Sequence, residues 1–269
     1  FGERPYSPAS ARAFIEEFDA SLGGRISKLI DYKVRNEPVL ADAVREVLGL
    51  TAGALPDRDA IELVLDPSKN RLLGESLNLT THSKLSRALV HASYTFRKRL
   101  SHTADSQDQR HRMTPGSRPV LAAHLTDEPD YITPELIRQD PAIERDFDRV
   151  MGETWEAVGR LRRLGVPDEF ALYLLPNAAA VRFTESADLL NLRHKHAMRL
   201  CYNAQEEIWR ASLEEAMQIR DVNPTIGRYL LPPCTLRDMA EALPKCPEGE
   251  RYCGVKVWRL DLRDLQRIV

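Results

Sequence analysis

Gln107-Asp108-Gln109-Arg110-His111-Arg112, followed after a Pro115-Gly116 turn by Ser117-Arg118, is the stretch from which the rest of the chain is read. Three arginines and an imidazole fall within the nine residues 110 to 118. Guanidinium forks grip phosphate or carboxylate oxygens bidentately, and hydroxyl or backbone N–H groups in a turn complete such a cradle, so the run fits an anion site. The same spacing also fits a solvated basic turn paired with Asp105 and Asp108. A second polar group follows at Asp188, Asn191, His194, Arg199, Asn203 and Gln205, where an apolar helix face is expected. Buried polar groups cost free energy unless paired; the plain reading is a polar helix face with pairs such as Glu206 and Arg210 one turn apart. His194 and His196, two apart on a helix, point to different sides and make a poor metal-binding pair.

Composition narrows the class. The 269 residues suit one large domain or two small ones, at roughly 150 residues per domain. Lys plus Arg number 38 against 40 Asp plus Glu, so there is no broad basic field of the kind that nucleic-acid binders use, and no nucleic-acid partner is expected. With 43% hydrophobic and 29% charged residues the chain reads as globular. The longest uncharged apolar stretches, such as 170 to 180, run about ten residues against the ~20 of a membrane span, so no membrane partner is expected. No signal-peptide pattern opens the sequence, and the expected localisation is cytoplasmic. Phe1 in place of Met fits a piece of a longer chain.

Periodicity supplies the elements. Ala13, Phe14, Phe18 and Leu22 predict a helix over 10–22, stopped by Gly23-Gly24. Leu40, Val44, Val47 and Leu48 predict a second over 38–50, with Pro38 in its first turn. Residues 82–90 read as helical, and 92–96 carry the aromatic and β-branched character of a strand. Asp140-Pro141 opens a helix whose stripe is Ile143, Phe147, Val150, Met151, Val158 and Leu161 before Gly165. One long central helix is expected from Thr184 to Ile219. Prolines 224, 232, 233, 244 and 247 then divide a loop-rich tail ending in an alternating Val255, Val257, Leu260, Leu262 segment, with residues 252–258 expected as a strand packed on the domain.

Together the two polar clusters resemble the flavin-dependent thymidylate synthases, the ThyX family, over residues 90–211. The resemblance rests on His91, Tyr94-Thr95-Phe96 and Gln107-x-x-Arg110-His111-Arg112 at family spacing. It rests equally on Leu175-Pro176 ahead of Arg199-x-x-x-x-Ala204-Gln205-x-Glu207-Ile208. It implies an α+β, ThyX-like domain: a small sheet surrounded by helices, residues 1–220, with the cysteine-containing tail, 221–269, packed on it. It further implies a homotetramer, or a pairing with a sister ThyX-like domain, that uses FAD and NADPH to move a methylene group from methylenetetrahydrofolate to C5 of a pyrimidine nucleotide, dUMP.

By position, the resemblance gives Arg110, His111, Arg112, His91, Asp188, His194 and Asn203 to the flavin, and Gln107, Ser117, Arg118 and Arg199 to the nucleotide. Arg199 would be catalytic, polarising the uracil as charge develops on its oxygen. The family's Ser-x-Asn-Glu-x-Ser-x-Arg continuation is shortened here to Met113-Thr114-Pro115-Gly116-Ser117-Arg118. Its Gly-His and Glu-His before the strand read Lys84-Leu85 and Val90-His91, its phosphate-binding Arg is Leu172, and its helix-opening Asn is Asp188. Two readings follow: an active flavoenzyme, or a catalytically silent ThyX-like domain that serves as a structural or interface partner, such as one half of a duplicated protein.

Cys234, Cys246 and Cys253 are separated by eleven and six residues, and the CxxC pairs of strong zinc sites are absent. Free thiols or a disulfide are therefore expected and no metal, the weaker alternative being zinc with Cys201 or a histidine as fourth ligand.

Overall fold

The computed structural model describes residues 7–75 and 83–267. Its frame is a three-stranded antiparallel sheet in the order β1 (Ser27–Tyr32), β2 (Ser93–Ser101), β3 (Ala180–Asp188). Ser27 stands opposite Lys98, and Lys98 opposite Phe183. In β2 the period of two carries Tyr94, Phe96, Lys98 and Leu100 to the buried side and Thr95, Arg97 and Arg99 to the other. The strand thus runs past residue 96 through three basic residues, because alternation, and not local polarity, sets its length.

Helices cover this sheet. α1 (Pro8–Leu22) is capped by Ser7 and ends at Gly23 in the left-handed region, φ 62°, as Gly23-Gly24 predicts. α2 (Asn36–Leu48) and α3 (Asp57–Leu65) pack Leu40, Val44, Ile61 and Leu65 into the main core. Residues 86–91 form a 3-10 turn before β2, so the 82–90 helix is reduced to that turn; His82 lies outside the described residues. The short α4 (His102–Asp108) follows β2. After α5 (Glu135–Arg138), α6 (Pro141–Arg163) starts at its Asp140 cap, as the sequence predicts. Only a narrow stripe of α6, Met151, Trp155 and Val158, is buried; Ile143 and Val150 are exposed. α7 (Asp168–Ala171) leads back to β3.

The helix expected from Thr184 to Ile219 is three elements. Residues 184–188 complete β3, whose alternation buries Val181, Phe183, Glu185 and Ala187. Asp188 then caps α8 (Leu189–Arg199), accepting from the Asn191 amide at 3.0 Å. The chain leaves the helix at Leu200, whose carbonyl is taken by the Trp209 indole at 3.2 Å. It re-enters at α9 (Glu206–Val222), capped by the Gln205 side chain at 3.0 Å. Leu189, Leu192, His196, Leu200, Asn203 and Ile208 recur at spacings of three to five and so suggest one helical stripe in sequence, although Asp188 and Gln205 are caps and 184–188 is strand.

α10 (Pro224–Gly227) and α11 (Pro233–Met239) open the tail. The strand expected over 252–258 is absent: the segment has only 3-10 turns at 249–251 and 257–259. Gly254 sits at φ 81°, which breaks the extended run. Val257, Leu262 and Leu265 nevertheless join the main core. A Cβ at Gly227 would stand 2.3 Å from Cα of Arg220. Gly227→Ala is therefore expected to destabilise by about 1–3 kcal/mol or more through overpacking, read as a lower urea midpoint at unchanged slope.

Candidate active site

The polar run at 107–112 is held from both ends. Ser101 caps α4 through the Ala104 amide at 3.1 Å and is itself fixed by Glu207 of α9, which accepts from its hydroxyl at 2.6 Å. Beyond α4 the chain turns, with the His111 amide donating to Asp108 O at 3.1 Å and the Thr114 amide to His111 O at 2.9 Å. It is then clipped to the edge of β3, where Ser117 N donates to Thr184 O at 2.8 Å and Ser186 N to Pro115 O at 3.1 Å. The loop so stretched lies over the last turn of α8.

There Arg199 meets it. Its Nε donates to His111 Nε2 at 2.9 Å, Nη2 to the Gln107 carbonyl at 2.9 Å, and Nη1 reaches Gln107 Oε1 at 3.5 Å. Because His111 Nε2 accepts, the imidazole is neutral with its proton on Nδ1. Burial, reinforced by the charges of Arg199 and Lys195 and by His194, pushes His111 down to about 3. The His194 ring stands edge-on to it, centroids 5.8 Å apart. Three of the five guanidinium N–H groups of Arg199 are engaged, which leaves two for a ligand. Arg110 and Arg112 are exposed, and among the described residues neither makes an ion pair.

Beneath the loop lies a cluster that composition and motif left unseen. Lys98 Nζ stands 2.7 Å from Glu185 Oε1, 2.8 Å from Glu215 Oε1 and 3.3 Å from Asp108 Oδ2. Lys195 Nζ stands 2.7 Å from Asp108 Oδ1 and also pairs with Glu185. His196 Nε2 meets Glu215 Oε2 at 3.0 Å, and Ser27 donates its hydroxyl to Glu215 at 3.0 Å. Burial opposes ionisation of Asp108, yet Lys98 and Lys195 outweigh it and hold that carboxyl well below the usual range; Glu215 is held low in the same way. Burial leaves Glu185 raised. One signal was available in the sequence: Lys98 and Glu185 both occupy inward positions of period-two strands, between apolar neighbours.

The other anticipated residues are dispersed. Arg118 closes the rim of the buried cluster, Nε donating to Asp105 at 3.1 Å while its guanidinium lies over Phe183 at 4.4 Å; this is the turn paired with Asp105 and Asp108. Ser117 is exposed beside it. His91 and Asp188 sit at the far end of the β2–β3 pair, where Asp188 faces Ser93 and caps α8. Asn203 turns to the tail, donating to Arg251 O at 2.5 Å.

A family model described as thymidylate synthase complementing protein matches residues 28–225, from β1 to α10. The chain belongs to this family. The flavin-dependent thymidylate synthase of Geobacter sulfurreducens is 31% identical over 170 residues, covering 62% of this chain and 70% of that protein. The flavin-dependent thymidylate synthase of Pyrococcus furiosus is 30% identical over 185 residues, covering 63% and 75%. The family match thus takes in the sheet, the 107–112 loop and α8–α9, and ends before Cys234, Cys246 and Cys253. No described helix is long and apolar enough to cross a membrane.

The histidines set a pH dependence. His111 has its folded value near 3, below the unfolded 6.5, and burial lowers His194 and His196 likewise. Between those values the unfolded chain holds more protons, so their contribution is complete above about pH 6.5 and declines as pH falls through it. Urea midpoints should drop between about pH 7.5 and about pH 5.5, and His111→Gln, which keeps an acceptor for Arg199, should flatten the slope. An unchanged slope would show that His111 does not titrate in the unfolded chain alone.

Proposed function

We propose that the chain is a flavin-dependent thymidylate-synthase-like transferase, performing reductive methylation of a uracil nucleotide, dUMP or a close analogue, at C5. FAD, NADPH and methylenetetrahydrofolate are its cofactor and co-substrates. The observation that carries this reading is the meeting of Arg199 with residues 107–112, two distant segments brought together around guanidinium groups with unused donors.

The residues fit an anionic cofactor. Arg110 and Arg112 present exposed guanidinium groups on either side of a neutral His111, suited to a diphosphate such as that of FAD. Bound there, the flavin supplies hydride transfer. The chain's own residues bind and orient. Arg199, steadied by Gln107 and His111, directs its two remaining N–H groups at a pyrimidine carbonyl. A fixed positive fork stabilises the negative charge that appears on that oxygen as C5 becomes nucleophilic, with no proton transfer to the protein. His111 Nδ1 remains a donor. A cytoplasmic homo-oligomer, a tetramer in which neighbouring copies complete each site, belongs to the same proposal.

A second reading, a silent domain that completes a partner, is favoured by Arg118, whose guanidinium is spent on Asp105 and Asp108 and not held out for a nucleotide. The visible spectrum of the purified protein with added FAD separates the two. An active enzyme binds FAD, is bleached by NADPH, and makes thymidylate from dUMP and methylenetetrahydrofolate. Arg112→Ala should weaken FAD retention by about tenfold. Arg199→Ala should abolish turnover while circular dichroism stays unchanged. A colourless protein that takes up no FAD carries the second reading instead.

A further inference from the structure

Every cysteine of the chain, four in all, lines one small cavity. Cys201 comes from the turn between α8 and α9, Cys234 from the first turn of α11, and Cys246 and Cys253 from the tail loop. Leu200, Pro233, Pro247 and Val257 complete much of the wall, and no Lys, Arg or His side chain lines it. The void measures ≈ 10 Å³, room for about one water-sized sphere. No cationic side chain stands among the wall residues beside the thiols.

We propose that this cavity is a structural metal site in which Cys201, Cys234, Cys246 and Cys253 bind one divalent ion of the zinc class. Four thiolates around an ion-sized void match a closed tetrahedral site. On binding, four S–H groups release their protons to solvent as four metal–sulfur bonds form, and nothing is oxidised or reduced. Arg251 and Arg267 line the adjoining pocket together with Cys253 and Glu248, a net positive charge beside the thiolates. Among the described residues no three donors already stand at the spacing of a filled site, so the ion draws the thiols inward. The tail loop, which carries two of the four thiols, turns at Gly249 and Gly254 and is tied back to the domain by Asn203, donating to the Arg251 carbonyl, and by Arg237, donating to the Pro244 carbonyl. Three sequence-distant segments would then be tied at one point, two residues beyond Arg199.

The test is the metal content of the full chain, expressed in zinc-supplemented medium and purified with a thiol reductant. About one zinc per chain is expected by elemental analysis and native mass spectrometry, with four free thiols after denaturation and, on cobalt exchange, the intense visible bands of tetrahedral thiolate coordination. The double variant Cys246→Ser/Cys253→Ser should lose the zinc and melt at lower temperature. Should that variant fail to fold, titration of the native chain with an organomercurial should release zinc in step with thiol loss. A fully reduced chain that holds no zinc and takes up no cobalt overturns the proposal. Zinc retained in the double variant, or an intact mass showing disulfides among these cysteines, overturns it equally.

Discussion

Lys98, Lys195, Asp108, Glu185 and Glu215 form a cluster with essentially no solvent exposure, and the rest of the molecule is arranged around its requirements. Removing one ion from water costs several kcal/mol, recovered only when every charge is paired and hydrogen-bonded. Two ammonium groups face three carboxylates, and Arg118 at the rim, its side chain 22% exposed, adds a positive charge that it shares with Asp105. Ser27, Thr114 and His196 add hydrogen-bonding partners. The cluster therefore joins β1, β2, β3, α4, α8, α9 and the loop at 114–118, and no one of these elements can shift without leaving a buried charge uncompensated.

That constraint positions the site. Asp108 lies next to Gln107 in the basic run, and its carboxylate is gripped from below by both lysines. Lys195 is one residue from His194 and one turn before Arg199, so the helix that sends Lys195 inward presents Arg199 to the loop. Gln107 and His111 then receive the guanidinium. The basic loop is exposed where a ligand would need it and anchored where movement would scatter it. Polar residues of the loop and of α8, each unremarkable as a charged stretch, act together because a buried ionic cluster fastens one to the other.

Much of this was legible in the sequence. The Asp140-Pro141 cap, the Gly23-Gly24 stop and the run of matches from His91 to Ile208 located α6, α1 and the site loop, because caps, glycines and motifs act locally. Over Thr184 to Ile219 apolar residues at compatible intervals suggest one helix, and the cap signals of Asp188 and Gln205 are what distinguish it from the strand and two helices that form. The buried cluster is not legible locally, because a lysine between Phe96 and Leu100 reads as surface until its carboxylate partners, from three other elements, are brought to it. Family position groups His91, Asp188 and Asn203 with the loop, whereas the fold uses Asp188 as a cap and Asn203 as a tie to the tail.

The account turns on whether the buried cluster holds the loop in place, and amide hydrogen exchange across residues 105–114 measures this directly. In Lys195→Met, which leaves three buried carboxylates facing one lysine and is expected to cost about 3–5 kcal/mol, protection of that run should fall by far more than protection of α2 and α3. Protection at 105–114 equal to that of the unaltered chain would contradict the claim that the cluster organises the site.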